Sequence, residues 1–420
     1  MSDIRLQTTI MLQEILEKKT FAQDIKTRFD SASETDMAFA HMLLQTSLRH
    51  LVYVKKILKN FIKKKLPASS QMAYYALILG ATEALYLSTP DYAVINSYVE
   101  IIKKHLDKYV AGFVNAVLRK VCAGKEDFKV QDQGIFFPND FRGLLNKDYG
   151  KKQTLAIEKA ALEEPLLDIT LKEPCTIKGA EILPLGTLRL KNSGSITKIN
   201  GYKKGLWWIQ DFSSALPVKL LKDIKGKKVL DLCAAPGGKT AQLLAAGAKV
   251  TAVDISAPRL KKLEENLSRL NLKADNIICE DALRFLQDFY GEPFDIILLD
   301  APCSATGTLR RHPELVHIKS AADVEKMANL QKQLLNLAGR ALKKEGLLVY
   351  CTCSLCKKEG EEQIASFLQD RKEFKTISAL LPPELADLQT PEGWVRILPS
   401  SLPQYKGADG FFIALLKKEN

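Results

Sequence analysis

The stretch KKVLDLCAAPGGKTAQLL, residues 227–244, restricts what this chain can fold into more than any other. Val229, Leu230 and Leu232 form a short apolar run that predicts a buried strand. Ala234, Ala235, Pro236, Gly237 and Gly238 then make a tight turn with almost no side chains, and Thr240 opens a helical pattern. Small residues between a strand and a helix let backbone N–H groups approach a ligand closely, with the positive helix end behind them. The stretch therefore predicts a nucleotide-like ligand at a strand's C-terminal end, although an ordinary tight βα connection has the same look. It is not the G-x-G-x-x-G dinucleotide fingerprint, which weighs against a nicotinamide oxidoreductase.

The next two runs favour the ligand. VTAVDIS, residues 250–256, reads as a strand ending in Asp254, close to the spacing of about twenty residues that sets a carboxylate on a ribose diol. In ADNIICEDAL, Asp281 follows Ile277 and Ile278, where an adenine edge is within reach. Successive strand ends carrying acids point to an adenosine-type cofactor.

Two further strands are predicted over 294–300 and 346–351, closed by Ala301, Pro302 and Cys303 and by Thr352 and Cys353. Ligands of such sheets bind off the C-terminal edge. Neighbouring strands lie about 4.8 Å apart, so both thiols would reach one substrate. Two thiols beside an adenosine cofactor suit pyrimidine C5 methylation: one adds to C6 and activates C5, and a base then removes the C5 proton so that the thiol can leave. A free thiol near pKa ~8.5 is already nucleophilic at neutral pH, and a cation such as Lys239 nearby would increase its thiolate fraction. Cys351, Cys353 and Cys356 have a zinc-like spacing, but no histidine is close in sequence, and no metal is expected. Cys122, Cys175 and Cys279 read as structural.

Upstream, 420 residues leave room for about two to four domains. Residues 1–125 read as all-helical. From 50 to 65, Leu51, Val54, Ile57, Leu58, Phe61 and Ile62 keep helical spacing opposite Lys55, Lys56, Lys59, Lys63 and Lys64, and Pro67 ends the helix. Residues 71–87 predict a buried helix capped by Ser69 or Ser70, and a further helix runs to His105. A connector over 126–165 holds a charged helix at 151–164. Between 166 and 213, DITLK, CTIKG, GTLRLK, SITKI and GLWWIQD read as short strands, with polar turns at Asn192-Ser193-Gly194 and Asn200-Gly201. Trp207 and Trp208 lie among lysines, which allows base stacking as well as a core role. From 214 to 420 the βαβ alternation of a doubly wound sheet takes over.

The net charge of +12 favours a polyanionic partner, nucleic acid before membrane. No apolar run of membrane-spanning length occurs, and the N-terminus lacks a secretory pattern. The eight cysteines form no short disulfide framework, so reduced thiols in the cytoplasm are expected.

In the front third, DMAF (from Asp36), STPDYAVIN and GFVNAVLRKV resemble the helical domain of the NusB antitermination factor, a domain that binds RNA. DLCAAPGGKT, VDIS, DAPCSATGTLRRHPE and YCTCS resemble successive motifs of the RNA cytosine-5 methyltransferases, and DGFFIALLKK their last strand. Together these resemble the bacterial 16S ribosomal RNA methyltransferase B family over nearly the whole chain. The resemblance implies a multidomain chain: an all-α NusB-like bundle, a small α+β RNA-binding domain and a Rossmann-like α/β methyltransferase domain. It implies S-adenosylmethionine as methyl donor, small-subunit rRNA or an assembling subunit as partner, and a monomer.

By the same resemblance, Cys353 attacks C6, Cys303 assists release and Asp300 hydrogen-bonds the cytosine; Lys239, the cation expected beside the thiols, is counted as catalytic with them. Cys233, Ala234, Ala235, Pro236, Gly237, Gly238, Lys239, Asp254, Arg259 and Asp281 line the donor's pocket with Asp300 at its edge. Arg310, Arg311 and His312 are placed to hold RNA phosphates. The chain departs from the family in three places: Ser304-Ala305 replaces the usual Ser-Gly, Cys351 stands where alanine is commoner, and the 167–171 strand lacks the family's arginine and asparagine. A non-catalytic RNA-binding factor, action on another RNA, and a DNA-type enzyme with Cys303 as nucleophile are the competing readings.

Overall fold

A computed structural model describes residues 4–22, 33–64, 66–191 and 194–419. Two compact units partition the chain, one comprising Met1–Glu163 with Leu309–Ser320 and the other Glu164–Thr308 with Ala321–Asn420.

The first unit is helical: α1 (Ile4–Lys18), α2 (Glu34–Phe61), α3 (Gln71–Tyr86), α4 (Asp91–His105), α5 (Lys108–Ala123), α6 (Lys125–Gln131) and α7 (Asn139–Leu162). α3 is the centre of the bundle, because it is apolar nearly all round and packs against α1, α2, α4 and α5. The predicted 50–65 helix is the second half of α2, which begins at the Ser33 cap and stops at Phe61, short of Pro67. Lys65 lies outside the described residues. Ser70 stands at the cap position of α3 without a side-chain capping bond. α7 covers more than the predicted 151–164 helix and is broken at Gly150, whose φ of 72° interrupts the helical path. Segment 309–320, just past the Cys303 loop in sequence, joins this unit: Arg49 Nη2 donates to Arg310 O at 2.6 Å, and Ala22 N to Glu314 Oε1 at 3.2 Å.

The second unit opens with a four-stranded antiparallel sheet of β1 (Leu167–Leu171), β2 (Ala180–Ile182), β3 (Leu188–Leu190) and β4 (Trp207–Ile209), in the order β2-β3-β1-β4. CTIKG and SITKI are not strands. Around SITKI the backbone closes on itself in a 3-10 turn, Ile196–Lys198, with Lys198 N bonded to Ser195 O and Ile199 N to Ile196 O, in place of an extended ladder. Asn192 and Ser193 of the expected turn lie outside the described residues. Trp207 and Trp208 are 0% and 4% exposed, and Trp207 Nε1 donates to Asn200 O at 2.7 Å. They are core residues and not a stacking platform.

The chain continues through α8 (Phe212–Lys219), β5 (Lys228–Leu232), α9 (Gly238–Ala245), β6 (Lys249–Asp254), α10 (Ala257–Arg269), β7 (Asn276–Cys279), α11 (Ala282–Gln287) and β8 (Phe294–Asp300). α12 (Leu315–Ile318) lies in the helical unit, and α13 (Ala321–Ala341), β9 (Leu342–Thr352), α14 (Glu361–Asp370), β10 (Phe374–Ile377), β11 (Val395–Ile397) and β12 (Phe411–Lys418) complete the chain. The sheet order is β10-β12-β9-β8-β5-β6-β7, with β11 pairing β12. β5 through β9 run parallel and β12 antiparallel to β9. Strand order reverses between β5 and β8, which opens a crevice at their C-terminal ends. Two apolar clusters hold the sheet, one around Val229, Leu298 and Val349 and another around Leu230, Leu299 and Leu348. Among the described residues no helix is long and apolar enough to cross a membrane.

Candidate active site

The glycine turn after β5 has its small residues for a steric reason. Gly237 has φ +97°, and a Cβ there would come within 2.7 Å of Leu263 Cγ. It is therefore closed to other residues twice over, by backbone conformation and by contact. Cys233 leaves β5 with φ 60°; burial and the nearby Asp300 and Asp254 push its thiol well up, so it stays neutral. Ala234 and Ala235 are buried, and Pro236 is exposed.

Asp254 ends β6 and is 2% exposed. Its carboxylate accepts Ala235 N at 3.1 Å and Ser256 N at 3.0 Å, with Arg259 Nη1 at 3.4 Å from Oδ2. Arg259 also donates to Ala235 O, so it ties α10 to the turn. Asp281 is exposed and caps α11, accepting Leu283 N at 2.9 Å and Arg284 N at 3.2 Å through Oδ1. Beside Asp254, the side chain of Ile255 is 65% exposed. A carboxylate with acceptor capacity left for hydroxyls, an exposed apolar side chain beside it and a turn without bulk make a donor set that fits the adenosine part of S-adenosylmethionine.

β8 and β9 are parallel neighbours, and Asp300 pairs in register with Cys351. The loops beyond them stay together: Ala301 N donates to Cys351 O at 2.9 Å and Gly307 N to Cys353 O at 2.8 Å. Gly307 has no room for a side chain, since a Cβ would lie 2.0 Å from Gly410 O and 2.8 Å from Cys353 O. As a result the Sγ atoms of Cys303 and Cys353 are 3.4 Å apart, both half-buried. The hydrogen bond to Cys353, burial, and the charge of Glu359 push the Cys303 thiol well above its ordinary range, which keeps it protonated.

Asp300 is the hub of the cluster. Oδ2 accepts Lys239 Nζ at 2.7 Å and Oδ1 accepts the Cys351 thiol at 3.4 Å. Burial lowers the Lys239 pKa, but Asp300 more than offsets this and the ammonium stays charged. Its partners are Asp300 and Ser214 Oγ at 3.1 Å, so the charge expected to act on a thiol acts first on the carboxylate. Cys351 is fully buried; burial and Asp300 push its thiol up, which makes it a hydrogen-bond donor and not a second nucleophile.

Not every expected residue belongs here. Arg310 is 2% exposed, inside the helical unit, where its Nε donates to Glu163 O at 3.4 Å, so it is not placed to meet RNA phosphates. Arg311 and His312 line a cavity of about 400 Å³ within that unit, with Met11, Met37, His41 and Gln45. Cys279 is exposed and not a core residue. Sequence reasoning missed Ser214, Gly307 and Glu359. Glu359 sits in a charged run, KKEGEE, that reads as a solvated turn, yet it is 0% exposed. Among the described residues no group of three or more metal-ligating side chains is gathered.

Comparison with known proteins shows the family of the chain. A family profile described as 16S rRNA methyltransferase RsmB/F matches residues 218–417, and one described as NusB family matches 2–123. The ribosomal RNA small subunit methyltransferase B of Vibrio cholerae serotype O1 is 30% identical over 404 residues, covering 90% of each chain. That of Photorhabdus laumondii is 31% identical over 394 residues, covering 88% of each. The crystal structure of PH0851 has the same fold, with a TM-score of 0.77 at 24% identity over 99% of this chain and 98% of that one. The matches run through both the helical front and the thiol-bearing sheet, and the chain belongs to the ribosomal RNA small subunit methyltransferase B family, enzymes that take their methyl group from S-adenosylmethionine.

Proposed function

We propose that this enzyme methylates C5 of a cytosine in 16S rRNA through a covalent bond between Cys353 and C6. The observation that carries the reading is the pair of thiols 3.4 Å apart at the ends of adjacent parallel strands, beside a carboxylate held by Lys239. The Cys353 sulfur adds to C6, and the electron pair of the C5–C6 bond becomes available at C5. Asp300, oriented by Lys239 and by the Cys351 thiol, accepts a hydrogen bond from the cytosine's amino group and so holds the ring against the Cys353 sulfur. The Lys239 ammonium sets positive charge beside the electron density that the addition releases. The 233–239 turn, Asp254, Arg259 and Asp281 would hold S-adenosylmethionine, which would supply the methyl group to C5 and leave as S-adenosylhomocysteine. Once methylated, C5 would hold a proton that it must lose. A water molecule acting as base takes this proton, the C5–H electron pair restores the double bond, and the Cys353 thiolate is expelled, a departure assisted by the Cys303 thiol as hydrogen-bond donor.

The target base has to leave its stack to reach thiols at the floor of a crevice. In the functional division we favour, residues 1–125 and 166–213 hold RNA, 126–165 connects, and 214–420 does the chemistry, in the cytoplasm. In the helical front, Lys55, Lys59 and Lys64 line a groove of about 390 Å³ together with Leu58, Ile62 and Tyr74, a surface suited to a phosphate chain.

The test is a denaturing gel of Cys303→Ala and Cys353→Ala, each incubated with unmethylated 16S RNA and S-adenosylmethionine. The expected result is a shifted, covalently joined band for Cys303→Ala alone, and no turnover by Cys353→Ala. A band for Cys353→Ala alone would reverse the two roles. No band with either variant, and no methylation by the parent protein, would remove the reading.

A further inference from the structure

Both thiol loops converge on one buried carboxylate. Glu359 follows β9 in a short 3-10 turn, Lys357–Glu359, and is 0% exposed. Its Oε1 accepts Ser304 N at 2.8 Å and Gln331 Nε2 at 3.1 Å. Its Oε2 accepts Ser304 Oγ at 2.5 Å and Ser354 Oγ at 2.5 Å. Ser304 follows Cys303, and Ser354 follows Cys353. Gln331 Nε2 also donates to Pro302 O at 2.8 Å, on the other side of Cys303. The main chain of Glu359 is anchored too, since its carbonyl accepts Tyr350 Oη at 2.8 Å and Thr352 Oγ1 at 3.2 Å from β9.

An ionised carboxylate offers about four acceptor sites. Here four donors fill them, and no lysine or arginine pairs with Glu359 among the described residues. Burying a carboxylate costs several kcal/mol unless it is fully hydrogen-bonded. The bonds that satisfy it come from the residues next to the two cysteines, so neither loop can shift without exposing that cost. We propose that Glu359 is a positioning residue that sets the separation of the Cys303 and Cys353 thiols by holding Ser304 and Ser354 on one carboxylate. Its role in turnover rests on the function proposed above; its role in thiol geometry does not.

The test separates the two. Diamide joins neighbouring thiols by taking two electrons and two protons from the pair, so the rate at which the full-length protein loses 2 Da, mapped to the Cys303–Cys353 peptide pair, reports their spacing without RNA. Glu359→Gln keeps the side-chain shape but removes the charge and replaces one acceptor oxygen with an N–H donor pair, so the two serine hydroxyls must turn from donating to accepting and their charge-assisted bonds are lost. Cross-linking is expected to slow at least tenfold, and kcat to fall roughly tenfold to hundredfold, the scale of a misplacement near 1 Å. KM for RNA and the Kd for S-adenosylmethionine should stay within threefold. Ser354→Ala, which removes one hydroxyl and no charge, should show a smaller change in the same direction, and serves if Glu359→Gln does not fold. Cross-linking within twofold of the parent overturns the proposal, whatever happens to turnover. Slowed cross-linking in a protein that methylates no RNA supports the positioning role and removes only the proposed reaction.

Discussion

Replacing Arg189 with methionine tests how the small sheet holds the segment that leads into β12. Arg189 and Asp168 are 2% and 0% exposed, with Arg189 Nε at 2.6 Å from Oδ1 and Nη2 at 2.7 Å from Oδ2. Nη1 donates to Gly407 O at 2.7 Å and also to Tyr405 O. Asp168 accepts Phe212 N at 3.0 Å, so the pair ties β1, β3, the start of α8 and the 405–407 segment together. Arg189→Met strips the carboxylate of its ionic partner and leaves two carbonyls without this donor. Breaking a buried pair on one side costs about 3–5 kcal/mol. An effective dielectric of about 20 gives a similar size, about 4 kcal/mol for charges 4 Å apart. Urea unfolding followed by tryptophan fluorescence suits the measurement, because Trp207 and Trp208 are in β4 of the same sheet. The expected loss is about 3–5 kcal/mol for Arg189→Met, with part of it restored in Asp168→Leu/Arg189→Met, where no charge is left buried. The loss should extend to catalysis, because the strap continues to Gly410, whose N–H donates to Gly307 O at 2.8 Å in the Cys303 loop. A loss under about 1 kcal/mol, or a double variant weaker than the single one, would refute the reasoning.

The remaining predictions concern separate parts of the chain. Ala305 has φ 60°, a conformation in which a Cβ costs about 1 kcal/mol, so Ala305→Gly should stabilise the protein by about that amount in the same unfolding assay. His317 Nε2 donates to Leu48 O at 2.8 Å, and burial holds its pKa down at about 4. The unfolded chain takes up the proton near pH 6.5 and the folded one only near 4, so stability should fall as pH drops through that window. The full shift corresponds to about 3 kcal/mol, reduced to about 1–2 by the ring's partial exposure. A stability profile of His317→Gln should be flatter between pH 4 and 7. Replacing Lys55, Lys59 and Lys64 with alanine should weaken RNA binding and make its dependence on log salt shallower by about 2, at about 0.7 per lost phosphate contact. An unchanged salt slope in a filter-binding assay would remove those lysines from the interface.

Much of the site was legible in the linear chain because its parts are local. A strand, a turn of small residues and a helix start occupy one stretch, and the side-chain pattern that marks them depends on neighbours within a few residues. The same holds for Asp254, Asp281 and Asp300, each at the end of its own apolar run. Lone signals misled where a long-range contact decided the outcome. Trp207 and Trp208 look like an aromatic platform among lysines, but the sheet and α10 cover them. SITKI has the alternation of a strand, but its backbone is spent on local turns that wrap Trp207. Arg310 follows a catalytic loop in sequence, yet its segment packs into the helical unit.

The sequence by itself determined the chemistry available: a glycine turn after a strand, acids at strand ends, and two thiols in separate motifs. Side-chain periodicity and turn chemistry are short-range, so they can be read without coordinates. Tertiary structure alone decided that β8 and β9 are neighbours in register, which brings together two sulfurs fifty residues apart in the chain. It also decided that a glutamate in a charged run is buried under both. Those facts depend on strand order and on how loops close over one another, and nothing in a local pattern encodes which distant segment will fill a given space.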